Sequence, residues 1–179
     1  MIVYHGSDSN FKKLRISKDL VKHRSTLDNE GLGIYFSTDI SVAENYGKYI
    51  YVLEINDSCF HDFRQVKQCE IYVRNICYDV LKKTGVDISK YIDISLLILY
   101  MKTGGIAISG VGREIYMLLD SNENWFKLSK SKIQAVYRLL SKYDKFCPKA
   151  YMFTYHISNI GVIKDVSEDV VRIIDKKRR

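Results

Sequence analysis

The residues with the most specific chemistry lie in short stretches near the start of the chain. They are Val3-Tyr4-His5-Gly6-Ser7, then Gly31-Leu32-Gly33-Ile34-Tyr35-Phe36-Ser37-Thr38-Asp39, then Ala43-Glu44-Asn45-Tyr46-Gly47. His5 stands at a strand end, where it is either a satisfied structural histidine or a hydrogen-bonding group for a ligand. Gly6 lacks a Cβ, so a ligand can approach its backbone closely. Tyrosine supplies flat apolar area with a polar tip, suited to stacking on a ligand and equally suited to a core. Tyr35 and Tyr46 stand eleven positions apart, the first on an expected strand and the second on the helix that follows it. Ser7 is placed either to reach a ligand hydroxyl or to cap a turn.

The elements that must position these groups follow from pattern. Residues 2–5 read as a short strand, because Ile2, Val3 and Tyr4 favour extended backbone. A polar cluster at 6–10 reads as a turn, and the charged stretch 11–30 as an irregular segment. Ile34 to Ser37 is a second strand, flanked by Gly31 and Gly33. Ser41 and Glu44 have the S-x-x-E spacing of a capping box, which predicts a brief helix ending at Gly47. Tyr49 to Ile55 is a third strand. Val66, Cys69, Val73, Ile76, Val80 and Leu81 recur at helical steps, and Gly85 closes that helix. Residues 88–102 and 129–143 repeat the pattern, while the apolar run within 106–120 fits either a strand or a buried helix. Residues 150–163 read as strand, interrupted near Ser158 and Asn159. Strands, then helices, then strands is an α+β order. One domain over 1–179 is expected, with a helical insertion at roughly 63–143, and a separate helical subdomain is the alternative.

The His5-Gly6 pair, the glycine-bracketed aromatic strand and the tyrosine pair, over roughly residues 1–55, resemble the nucleotide site of the ADP-ribosyltransferases of the diphtheria-toxin and poly(ADP-ribose) polymerase type. The resemblance implies a split antiparallel β-sheet core and NAD as substrate. It implies that His5 bonds a ribose hydroxyl, that the Gly6 backbone grips the nicotinamide carboxamide, and that Tyr35 and Tyr46 sandwich the nicotinamide ring. A flat cationic ring between two π faces gains roughly 0.5–2 kcal/mol from each kind of contact. Ala43 leans the comparison toward the toxin-like branch, which has small residues there. The family also carries a glutamate at the start of a later strand, which stabilises the oxocarbenium-like centre at C1′ or orients the nucleophile. Glu114, in Gly112-Arg113-Glu114-Ile115-Tyr116-Met117, is the candidate; as a plain structural residue it would complement a helix dipole. A competing placement on Ala150-Tyr151-Met152-Phe153-Thr154-Tyr155 puts Ala150 or Tyr151 at that position and leaves it without a carboxylate.

The remaining features bound the function class. With 28 basic against 21 acidic residues, the net charge of +7 favours acidic partners. Lys12, Lys13, Arg15, Lys18, Lys22 and Arg24 are either a target-recognition surface or simply solvated, and Lys176, Lys177, Arg178 and Arg179 are expected to be a frayed end. Cys59, Cys69, Cys77 and Cys147 lack metal or redox spacing and read as reduced thiols. His23, His61 and His156 lack metal-ligand spacing, so no metal is expected. No P-loop or Gly-x-Gly-x-x-Gly occurs, which leaves kinase and Rossmann readings without support. No signal peptide or membrane span is legible, so a cytoplasmic protein without a membrane partner is expected, with delivery into another cell left open. The expected reaction is transfer of ADP-ribose from NAD to a macromolecule, a protein rather than a nucleic acid, with nicotinamide released. The alternatives are a catalytically inactive binding module, an NAD glycohydrolase, and a nucleic-acid binder.

Overall fold

The protein is described from a computed structural model over residues 1–16, 33–143, 148–155 and 158–179; the side chains of 108, 109, 155 and 158 are left aside. Gly31, Leu32, Lys18, Lys22, Arg24, His23, His156 and Cys147 lie outside the described residues. The chain is α+β, with two sheets, and divides into two compact units: Met1–His61 with Pro148–Arg179, and Asp62–Cys147.

The first unit holds the sheets. Ile2–Ser7 forms β1, Ile34–Phe36 forms β2 and Tyr49–Ile55 forms β3. Phe60–Asp62 is β4, Ala150–Tyr155 is β5, Ser158–Ile163 is β6 and Val171–Arg178 is β7. One sheet has the order β1-β3-β7 and the other β2-β6-β5-β4. They meet where Tyr4 N–H donates to the Ser37 carbonyl at 2.8 Å and Ser37 N–H donates back to Tyr4 at 2.9 Å. Val3, Phe36, Tyr51, Leu53, Met152 and Ile163 belong to the buried cluster beneath these strands.

The basic end of the chain is a strand and not a frayed tail. Lys176 stands opposite Tyr51, Lys177 opposite Ile50 and Arg178 opposite Tyr49. Arg179 N–H donates to the Lys48 carbonyl at 2.9 Å, which continues the ladder. The charged side chains are solvated, as expected, while the backbone beneath them is paired. An edge strand rich in lysine also resists pairing with other chains.

The second unit is helical: α2 (Val66–Thr84), α3 (Ile94–Lys102), α4 (Gly105–Ser109), α5 (Val111–Asp120) and α6 (Lys130–Leu140). Cys69, Val73, Ile76, Cys77 and Val80 form the buried stripe of α2. Gly85 then adopts φ 69°, a left-handed cap, and its N–H reaches the Leu81 carbonyl. The single helix expected at 88–102 is instead a 3-10 turn at 88–90 followed by α3. The Asp93 carboxylate caps α3 by accepting from Leu96 N–H at 3.1 Å. The ambiguous run 106–120 is helical throughout except at Gly110, whose φ of 85° separates α4 from α5. Trp125 is fully buried and donates its Nε1–H to the Tyr137 hydroxyl at 2.7 Å. That hydroxyl in turn donates to the Asp120 carboxylate.

Candidate functional site

Three short elements of the first unit meet at the join between the sheets. β1 ends in His5-Gly6-Ser7, β2 carries Tyr35 at its centre, and α1 (Ile40–Ala43) runs into a 3-10 turn, Glu44–Tyr46. The cap of α1 is not the expected box. Asp39 accepts from Ser41 N–H at 2.9 Å and from the Ser41 hydroxyl at 2.8 Å. A carboxylate at this position satisfies an orphan helix donor directly, and Glu44 lies within the following 3-10 turn.

Two glycines bring these elements together. A Cβ on Gly6 would lie 2.0 Å from the Ala43 carbonyl oxygen and 3.0 Å from Tyr46 Cβ. The close approach at Gly6 is therefore made by the backbone of α1, an approach that the sequence reading assigns to a ligand. Gly47 adopts φ 156° and ψ −179°, and its Cβ would meet Ser7 C at 2.1 Å. The turn carrying Tyr46 is thus held against the end of β1 at both ends.

The result is a cavity of about 230 Å³ lined by Tyr4, His5, Gly6, Gly33, Tyr35, Phe36, Ser37, Val42, Ala43, Tyr46 and Ile160. Of the residues singled out from sequence, His5, Gly6, Tyr35 and Tyr46 meet here. Tyr35 is half-buried on its strand, while Tyr46 is 60% exposed at the rim. Ser37, expected only as the end of a strand, also lines the cavity. It is buried, and its Oγ accepts from Asp39 N–H at 3.0 Å, which ties β2 to the start of α1. Ile160 comes from β6, far along the chain, and no local signal marks it. Its neighbour Gly161 leaves room for the Phe36 ring, since a Cβ there would lie 2.0 Å from that ring.

His5 is held in one state. Its Nδ1 lies 2.6 Å from the Tyr35 carbonyl oxygen. A carbonyl can only accept, so the proton is on Nδ1 and the neutral ring offers Nε2 as an acceptor. Burial lowers the His5 pKa from its ordinary 6.5, and the bond to the Tyr35 carbonyl opposes this only in part. A hydroxyl group brought to Nε2 would therefore find an acceptor at neutral pH.

This state carries a stability consequence. The folded protein favours neutral His5, so the unfolded chain takes up protons more readily below pH 6.5. The stabilisation from this site is complete above 6.5 and is lost as pH falls toward the lower folded value. His61, whose pKa burial also lowers, acts in the same window. The aspartates with depressed values, such as Asp62 beside Arg64, act only below their ordinary 3.8. Thermal melts from pH 7.5 to 5.0 are expected to show a falling Tm. The fall should be smaller in His5→Gln, whose amide can still donate to the Tyr35 carbonyl. An equal slope in both proteins would remove His5 as the cause.

Other sequence candidates lie elsewhere. Ser7 does not line the cavity; its Oγ accepts from Ser9 N–H at 3.1 Å and so caps a turn. Glu114 stands in the first turn of α5, in the second unit, and is not one of the lining residues. It is on a helix, whereas the resemblance asks for the start of a strand. Ala150 and Tyr151 are buried in β5 and do not line the cavity. Cys69 and Cys77 are buried free thiols, each pushed up to about 11 by desolvation, so they stay protonated and unreactive near neutrality. Among the described residues no group of three or more His, Cys, Asp or Glu could hold a metal ion. No helix among them is long and apolar enough to cross a membrane.

No family model matches this chain, and no curated protein matches it. A solved structure described as the crystal structure of an anti-CRISPR protein aligns with 97% of this chain and 95% of its own, at 13% identity and a TM-score of 0.43.

Proposed function

We propose that this cavity binds the nicotinamide end of NAD and that the protein is a mono-ADP-ribosyltransferase built on an ADP-ribosyltransferase-like split sheet. The observation that carries this reading is the meeting of His5, Gly6, Tyr35 and Tyr46, from three separate segments, around one cavity. Its volume is below the ~300–1,000 Å³ of sites that enclose a drug-sized ligand, so it suits one end of a dinucleotide. The neutral His5 ring presents an acceptor that fits a ribose hydroxyl. Tyr35 and Tyr46 provide aromatic faces for a flat cationic ring. In the reaction the bond from C1′ to the nicotinamide nitrogen breaks, and nicotinamide leaves with the electron pair. The acceptor atom bonds to C1′ and gives up its proton.

The test is nicotinamide release from NAD labelled in its adenylate half, with host-cell extract supplying the acceptor. Label is expected to enter a macromolecular band with wild-type protein and to fall about 100-fold in His5→Ala and Tyr35→Ala. Retained labelling in Glu114→Ala would remove only that residue's assignment. Nicotinamide release without a labelled band would mean that water is the acceptor.

A second reading is favoured by one observation: among the described residues, none that lines the cavity is an Asp or a Glu. A site without a carboxylate suits binding of NAD without turnover. NAD bound by wild-type protein but consumed in no extract would select this reading over the transferase.

A further inference from the structure

Behind His5 lies an aromatic assembly outside the cavity. The Phe11 ring stacks on Tyr51 with centroids 3.9 Å apart and planes 5° from parallel. His5 lies against both, with centroids 6.2 Å from Phe11 and 6.3 Å from Tyr51. Tyr51 is fully buried, yet its hydroxyl is doubly engaged. It accepts from Phe11 N–H at 2.8 Å and donates to the Ser9 carbonyl at 2.9 Å. One hydroxyl thus clips the backbone on both sides of Asn10 and holds the stretch 9–11 over the sheet. β1 and β3 are paired so that His5 stands directly opposite Tyr51, and Tyr51 stands opposite Lys176 of β7. The Lys176 ammonium donates to Asn10 Oδ1 at 2.7 Å, which gives the same stretch a third tie.

A core tyrosine needs one partner for its hydroxyl. Here the two partners belong to the segment whose ring lies against the histidine, and the bonds fix where that ring sits. From this geometry we infer that Tyr51 is a positioning residue: by clipping the Ser9–Phe11 segment and stacking on Phe11, it locks the His5 imidazole in the orientation that bonds Nδ1 to the Tyr35 carbonyl and leaves Nε2 as the free acceptor. The role of the cavity as an NAD site rests on the reading above; the locking of His5 does not. The titratable and charged groups on the elements around His5 include Tyr4 of β1, Tyr35 of β2, Tyr49, Tyr51 and Glu54 of β3, Glu44 and Tyr46 after α1, and the basic residues and Asp175 of β7. With the clip released, Phe11 leaves the imidazole and water reaches it.

The experiment compares wild type, Tyr51→Phe and Phe11→Leu, with the His5 signals assigned through His5→Gln. Tyr51→Phe keeps the ring and removes only the two hydroxyl bonds. Phe11→Leu removes the stacked ring and leaves the hydroxyl, so it serves if Tyr51→Phe does not fold. NMR titration reads the His5 tautomer and pKa, and calorimetry with NAD reads affinity. In both variants the His5 pKa is expected to rise toward 6.5, the Nδ1–H preference to weaken, and NAD affinity to fall about tenfold. A His5 titration unchanged from wild type in the folded variants would overturn the positioning role. A His5 titration that moves in a protein binding no NAD would uphold the positioning role and remove the NAD reading.

Discussion

A single methyl group at position 6 is expected to destabilise the protein by about 3 kcal/mol and to distort the cavity. In Gly6→Ala the new Cβ would lie 2.0 Å from the carbonyl oxygen of Ala43. That oxygen is backbone, on a helix whose start is fixed by the Asp39 cap and whose continuation is fixed at Gly47. No flexible side chain is available to swing aside. Either β1 bows away from α1, straining its pairing with β3, or α1 lifts and takes Tyr46 with it. Both outcomes misplace lining residues, so ligand binding should fail even where the chain still folds. Gly85→Ala is the control, because nothing lies within 4 Å of its Cβ. Its φ of 69° leaves only the left-handed backbone penalty of about 1 kcal/mol. Urea unfolding of the two variants separates crowding from backbone strain. A Gly6→Ala midpoint no lower than that of Gly85→Ala would show that α1 does not pack on β1 this tightly.

The second large effect concerns the helical unit. Trp125→Ala is expected to destabilise it by about 3–5 kcal/mol, the range for emptying a site filled by a large aromatic side chain. Trp125 is fully buried, meets Tyr91 edge-on with centroids 5.4 Å apart, and lies 5.9 Å from Tyr137. Its Nε1–H also feeds the chain of hydrogen bonds through Tyr137 to Asp120. Trp125→Phe keeps much of the volume and drops that donor, while Tyr137 can still donate to Asp120. It should therefore lose roughly half as much. Amide exchange over α5 and α6 reads the difference. Equal protection in wild type and Trp125→Ala would contradict the packing role.

Much of the fold was legible where a local pattern and a local cause coincide. The helix at 66–84 shows an apolar stripe and ends at a glycine that needs positive φ, and both marks are visible in the letters. The strand at 49–55 is a run of residues that favour extended backbone. The strand at 171–178 was not legible, because its lysines and arginines look like a solvated tail. What makes it a strand is the open edge of β3, which is a tertiary fact. The helix cap differs from its sequence pattern for a related reason. Ser41 and Glu44 match a pattern, but Asp39 stands two residues earlier and is a stronger acceptor for the same donor. The run 106–120 became decidable only through Gly104 and Gly110, whose positive φ values break the backbone into short helices.

The site divides in the same way. His5, Gly6, Tyr35 and Tyr46 are conspicuous in the sequence because glycines and aromatics cluster around them. Ser37 and Ile160 are ordinary residues that line the cavity only because β2 runs between β1 and β6. Gly6 shows how one residue can satisfy two arguments, since the space it opens is occupied by the Ala43 carbonyl. Glu114 looked suitable because a carboxylate follows a glycine-rich turn; the same turn begins a helix, which places the carboxylate at a favourable dipole end.

The sheet order β2-β6-β5-β4 has a consequence for modularity. The helical unit leaves the sheet at β4 and returns at β5, and those two strands are neighbours. From the viewpoint of the sheet, the whole of 63–149 is a single connection between adjacent strands. The entropy of such a connection grows only logarithmically, by about 0.6 kcal/mol for each doubling of length. The sheet is therefore nearly indifferent to how many residues are strung there. Helices could be gained, lost or exchanged at this one junction without rewiring any strand, and the cavity residues, all drawn from 1–61 and 148–179, would keep their sequence neighbours throughout.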